Sequence, residues 1–217
     1  MSFTALAIIS TRNEIDILPR VVEHLHAQGM AVHLMDDWST DGTWEAARSW
    51  GLAGLERFPS DQPSQTFDWA AILRRKEEIA LRSSAQWLIH HDADEIRYST
   101  RPRETLLGAL RRADIAGCNA CDHRLLNYIS REGWRPGLDP EQFFQTVGPR
   151  PAVDSIQIKA WKHTGQRVDL ASSGGHWVQF PGRKVWYEKL ILKHYPLRGS
   201  QLAAQKLADR RARWNPE

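Results

Sequence analysis

With 217 residues, 41% of them hydrophobic and 25% charged, the chain has the balance of a soluble globular protein and the length for one substantial core. A formal charge of +3 without an interleaved basic and aromatic motif speaks against nucleic acid as a partner, and a lone CxxC pair, Cys118 and Cys121, falls short of the four ligands of a closed zinc site. No stretch approaches a membrane span and no basic segment precedes a long apolar run at Met1, so the expected setting is cytoplasmic, with at most peripheral membrane contact.

Leu6 to Ser10 reads as a first strand, apolar and hence buried on both faces. Asp16 is expected to cap a helix with Pro19 in its first turn; Leu18, Val21, Val22 and Leu25 recur at helical spacing, and Gly29 ends it. Ala31 to Met35 completes a β-α-β unit. That second strand runs into Asp36-Asp37, and the turn at Asp41-Gly42-Thr43 feeds a helix reaching Arg48. Phe58 to Thr66, rich in Pro, Ser and Gln, is a loop. Trp69, Ile72, Leu73, Ile79 and Ala80 then mark an amphipathic helix. Lys76 lies close to that apolar stripe, so it must either snorkel out or meet an anion.

The apolar run Trp87-Leu88-Ile89 ends abruptly in His90-His91-Asp92-Ala93-Asp94-Glu95. Asp92 and Asp94, two apart on an extended chain, point the same way. Unpaired they would repel, which calls for a proton or a cation between them. A hard divalent cation that also carries phosphate oxygens suits two such carboxylates, and a turn capping the next helix is the plainer alternative. Two strands that both end in acidic clusters suggest one shared edge, where open α/β sheets bind their ligands.

Glu104 to Ala113 is a helix with Leu106, Leu107 and Leu110 inward, and Ala120 to Tyr128 is a strand. Gly133 to Pro151 holds four prolines and reads as a long irregular loop; Trp134, Phe143 and Phe144 favour an ordered lid or acceptor surface there. Ser155 to Lys162 alternates, with Ile156, Ile158 and Ala160 on one side, as a half-exposed strand does. His176 and His194 each accompany the edge of an apolar stretch. Gln201 to Arg213 closes the chain as a basic helix.

Three of these segments come in a recognisable order: Ile8-Ile9-Ser10-Thr11-Arg12-Asn13-Glu14, then Asp36-Asp37-Trp38-Ser39-Thr40-Asp41-Gly42-Thr43, then Asp92-Ala93-Asp94-Glu95. Together, across roughly residues 3 to 98, the sequence resembles glycosyltransferase family 2, the nucleotide-diphospho-sugar transferases with the GT-A fold. Ser10 stands where that family usually has proline, and Arg12 where it often has an aromatic. The resemblance implies an α/β fold, a GT-A type Rossmann-like α/β/α sandwich with a mostly parallel central sheet. It implies one domain over residues 1–217, with 1–98 as the nucleotide-sugar-binding half and 99–217 as the acceptor-binding half.

The implied activity is metal-dependent transfer from a nucleotide-diphosphate sugar, preferably a UDP-sugar, to a glycan, lipid-linked or other hydroxyl acceptor, with inversion. Asp94 would ligate Mn²⁺ or Mg²⁺ directly, and Asp92 would act through the ribose or a metal-bound water. Asp37 would accept a hydrogen bond from the base, and Thr11 would line the nucleoside pocket. Lys76, or Arg75 if the register slips by one, and Arg198 would hold phosphate. His176 and His194 are the candidates for a histidine completing the metal shell, although His176, after two glycines, could equally sit beside the acceptor. Inversion requires a carboxylate base; Asp154, Asp139 and Asp122 are the candidates, with Asp154 preferred by position. A non-catalytic nucleotide- or carbohydrate-binding module with the same fold is the alternative.

Overall fold

The structure, a computed structural model, describes residues 2–129, 132–148 and 156–213. In chain order its elements are β1 (Ala5–Thr11), α1 (Leu18–Ala27), β2 (Ala31–Asp36), α2 (Thr43–Ala47), β3 (Gly54–Arg57), α3 (Trp69–Arg82), β4 (Trp87–Asp92) and β5 (Glu95–Tyr98). Then follow α4 (Leu106–Ile115), β6 (Ala120–Asn127), α5 (Pro140–Phe143), β7 (Ala160–Lys162), β8 (Val185–His194) and α6 (Ser200–Ala212).

All eight strands form one mixed sheet in the order β3-β2-β1-β4-β7-β6-β8-β5. The first four are parallel. Beyond β4 the pairing is mixed: β4–β7, β6–β7 and β5–β8 are antiparallel, and β6–β8 is parallel. Alternate side chains of β1 enter two separate cores. Ala5, Ala7 and Ile9 pack with Leu18, Val21 and Leu25 of α1 and Leu106 and Leu110 of α4. Leu6 and Ile8 pack with Ile72, Leu73 and Ile79 of α3. Helices therefore cover both faces of the parallel half, which is why β1 carries no polar alternation.

The connection from β4 to β5 dictates the shape of the rest. Only Ala93 and Asp94 join them, so the strand ends are at most about 11 Å apart. In the sheet order, however, β7, β6 and β8 lie between β4 and β5, a distance of about 19 Å if the sheet were flat. The second half must curl back on itself. The curl encloses polar side chains: Lys159 bonds Asp92 and Glu95 at 2.8 and 2.7 Å, and Arg97 bonds Glu95 and donates to the His90 carbonyl at 2.9 Å.

Several expectations change here. Asp16 does not cap α1; Ile17 precedes the helix without a side-chain cap, and the Asp16 carboxylate instead accepts from Arg198 and from the Trp134 indole. A half-exposed strand over Ser155 to Lys162 shrinks to Ala160–Lys162, with Ser155 outside the described residues. Its supposed solvent face is buried, Gln157 at 2% and Lys159 at 5% exposure, because those polar groups meet other polar groups inside the curl. Thr105 rather than an earlier residue caps α4, accepting from the Gly108 amide at 3.1 Å. In the described part of the proline-rich loop Asp139 caps α5, and Trp134, Phe143, Phe144 and Tyr195 form a continuous aromatic cluster. Among the described residues no helix is long and apolar enough to cross a membrane.

Candidate active site

The carboxyl ends of β1, β2 and β4 open into a cavity of about 1460 Å³. Thr11, Asp37, Asp92, Asp94 and Arg198 all line it. The loops after β1 and β2 are stitched together beneath it: the Asn13 side chain accepts from the Thr40 amide at 2.7 Å, and the Asn13 amide donates to Ser39 Oγ at 2.9 Å. Asp41 takes the Thr43 amide and hydroxyl and so starts α2. Asn13 and Trp38 both hold positive φ, 55° and 54°, a conformation that such cross-bonding sustains at functional loops.

The Asp37 carboxylate accepts both arms of the Arg213 guanidinium, at 2.6 and 3.1 Å. Thr11 Oγ1 is buried and has no hydrogen-bond partner among the described residues, so a polar ligand atom in the cavity would meet a waiting hydroxyl. At the other end, Asp94 lies on the two-residue link. Its Oδ1 is 3.5 Å from His194 Nε2, and its Oδ2 is 3.7 Å from Arg198.

Residues 6–58 match the model of glycosyl transferase family 2. This match supports the family assignment drawn from the motifs, and it implies a glycosyltransferase acting between a nucleotide-sugar donor and an acceptor. No curated protein matches the chain. The family 2 segment covers β1 through β3 and includes Asp37; Asp92 and Asp94 lie beyond it, and geometry alone brings them to the same cavity.

Electrostatics separate the two carboxylates that family 2 resemblance pairs. Burial pushes Asp92 up, but Lys159, His90 and Lys76 outweigh it and hold the carboxyl well below the usual range. Its charge is thus already answered by Lys159. Burial likewise opposes ionisation of Asp94, and His194, Lys206 and Arg198 overcome it. His194 Nδ1 is 2.7 Å from the Asn127 side-chain oxygen and donates to it. A neutral ring would then aim a lone pair at the Asp94 oxygen, an arrangement that calls for a proton or a cation between them. Burial lowers the His194 pKa, and Asp94 more than restores it, leaving it above the ordinary histidine value.

A cation at this end of the cavity would be held by Asp94 and His194, whose facing atoms are 3.5 Å apart. No cluster of three or more candidate ligands exists among the described residues. The Asp94 carboxylate fits a hard divalent ion that takes one or two carboxylates and completes its shell with phosphate oxygens and water, whereas the His194 imidazole lies outside the oxygen set that Mg²⁺ prefers.

The remaining expected site residues are engaged with other protein groups or lie outside the described residues. Arg198 is buried at the cavity wall, but its donors go to Asp16, Glu14 and the Tyr195 carbonyl. Lys76 neither reaches solvent nor lines the cavity: its Nζ sits 3.0 Å from His90 Nδ1 and 2.9 Å from the His91 carbonyl. Arg75 pairs with Glu56 and Glu78. His176 is 3.2 Å from the Gln157 amide and does not line the cavity. The glycine before it is required, since a Cβ at Gly175 would meet His90 Nε2 at 2.7 Å in a backbone with φ of +87°. Asp139 bonds Arg20, and Asp122 accepts from the His123 and Gln157 amides; neither lines the cavity. Asp154 lies outside the described residues. Sequence reading assigned no role to Lys159, Glu14 or Arg213, the charged groups that answer Asp92, Arg198 and Asp37.

Lys76 has a measurable consequence. Burial pushes its ammonium down to about 7, against the pull of Asp92. An unfolded lysine keeps its proton to about pH 10.4. Above pH 7 the unfolded chain therefore binds more protons at this position, and stability rises with pH. Burial raises the Cys121 thiol, which acts in the opposite sense once an unfolded thiol ionises at about pH 8.5, and His194, held above its ordinary value, also acts in the opposite sense as it loses its proton, so the Lys76 contribution is read as a difference between proteins from pH 7 to about 8.5. The wild-type urea midpoint should gain on that of Lys76→Met as pH rises across that window; parallel profiles for the two proteins would contradict a neutralised lysine.

Proposed function

We propose that the chain is a metal-dependent glycosyltransferase of the GT-A type, an α/β/α sandwich forming a single domain that takes a UDP-sugar and transfers its sugar with inversion. The supporting observation is the convergence of Asp37, Asp92 and Asp94 on one cavity at the carboxyl ends of parallel strands. Residues 1–98 supply the donor side, and residues 99–217 supply the acceptor side. Asp37 accepts a base N–H, Thr11 Oγ1 meets the nucleoside, and Asp92, fixed by Lys159, accepts from the ribose.

Asp94 and His194 would hold Mn²⁺ or Mg²⁺. When bound, the cation neutralises charge growing on the leaving diphosphate. Arg198 keeps Asp94 in place and adds positive potential to the same wall. Inversion needs a carboxylate to take the acceptor hydroxyl proton, a role we give to Asp154. The apolar side of the cavity, with Trp134, Pro136, Leu197 and Leu202, suits a lipid-linked acceptor or a sugar ring stacked on the indole. Unpaired Cys118 and Cys121 accord with a reducing, cytoplasmic setting.

A non-catalytic nucleotide-binding module is favoured by one observation, that Asp37 and Asp92 are already ion-paired. A screen of nucleotide sugars with Mn²⁺ and Mg²⁺, read as nucleotide diphosphate released, separates the two. The transferase predicts cation-dependent release from a UDP-sugar. UDP binding without release would leave only the module, and absence of both would overturn the donor site.

A further inference from the structure

Helix α6 forms one wall of the cavity, yet charge rather than burial holds it there. None of its side chains described between Ser200 and Ala212 is buried, and Leu207 is 53% exposed. Three ion pairs fasten this segment to the loops after β1 and β2. Lys206 pairs with Glu14; Asp209 accepts both arms of Arg12, at 2.8 and 3.1 Å; and Arg213, just past the helix end, forks onto Asp37. Among the described residues a backbone bond, from the Phe67 amide to the Arg213 carbonyl at 2.8 Å, adds to the far end. At the near end Arg198 is fully buried and clamped, and Gly199 follows with φ of +85°, a conformation that glycine adopts without strain. The segment thus has a fixed anchor, a permissive joint and a latch held by charge.

The latch sits on a group the donor needs. With Arg213 in place, the Asp37 side chain is only 9% exposed, too closed for a heterocycle to dock in its plane. We propose that Arg213 and the base of a nucleotide compete for the Asp37 carboxylate, so that α6 is a lid that swings about Gly199, opening as the nucleotide enters and closing as it leaves. The proposal rests on the donor-site reading of Asp37. A binding-competent state that is only fractionally populated lowers apparent affinity by that fraction, so removing the latch should tighten binding.

The test uses the whole chain, with UDP as probe. Calorimetric titration of wild type, Arg213→Ala, Arg213→Lys and Arg211→Ala should show Arg213→Ala binding UDP roughly tenfold more tightly. Arg213→Lys should fall between, and Arg211→Ala, an exposed cation on the same helix, should match wild type. Hydrogen exchange on wild type, which needs no variant to fold, should show residues 200–213 exchanging faster once UDP is bound. UDP binding with unchanged or weakened affinity in Arg213→Ala, or with added protection of α6, would overturn the lid and leave the donor site standing. No binding to any of the four proteins would overturn both.

Discussion

Asp94→Ala is expected to lower sugar-transfer turnover by about 100- to 1000-fold, the loss seen when one group aimed at developing transition-state charge is removed. The fold should survive the change. The Asp94 backbone carbonyl, which accepts from the Tyr195 amide at 3.0 Å, persists in alanine. Arg198 keeps Asp16, Glu14 and the Tyr195 carbonyl, so no buried cation is stranded. The readout is nucleotide diphosphate released at saturating Mn²⁺, beside a melting curve showing the folded chain. Undiminished turnover in the variant would remove Asp94 from the chemistry and with it the proposed cation site.

The second large effect is on stability. Lys159→Met should cost about 3–5 kcal/mol, because it removes the shared cation from two carboxylates in the curl, leaving Asp92 without its ammonium and Glu95 with Arg97 alone. For a chain of this size that corresponds to a fall of roughly 10 °C in Tm. The defect should shrink as pH is lowered, since a proton can then take the place of the ammonium between Asp92 and Glu95. A melting series from pH 7 down to about 5 measures both features. A variant as stable as wild type at pH 7 would mean that water or relaxation reaches these carboxylates and that the network is not a support for Asp92.

Local patterns carried the first half of the fold. β1, α1, β2, α3 and β4 were readable because apolar runs and helical spacing report burial directly. β3 escaped notice because it is a short edge strand whose four residues are all half-buried, leaving no alternation to see. β5 escaped for the opposite reason: Glu95 and Arg97 are buried on either side of Ile96, so charge marks the inside. Lys159 misled in the same way. A polar residue facing a polar enclosure has the periodicity of one facing water.

The candidate site divides along similar lines. Its carboxylates were visible because each ends a strand. The cations that answer them were not, because Lys159 lies 67 residues from Asp92 and Arg213 lies 176 from Asp37, beyond any spacing rule. Lys76 was noticed as unusual, but only the packing of α3 against β4 shows that its partners are imidazole and carbonyl.

Most strand connections absorb an extra residue at small entropic cost. The Ala93–Asp94 junction has no such slack, because it is also the seam where the sheet returns to itself. An inserted residue there would have to bulge into the cavity or let the returning edge drift away from its anchor. The position of the Asp94 carboxylate and the closure of the architecture are therefore set by the same pair of residues, and neither can be remodelled without redrawing the other.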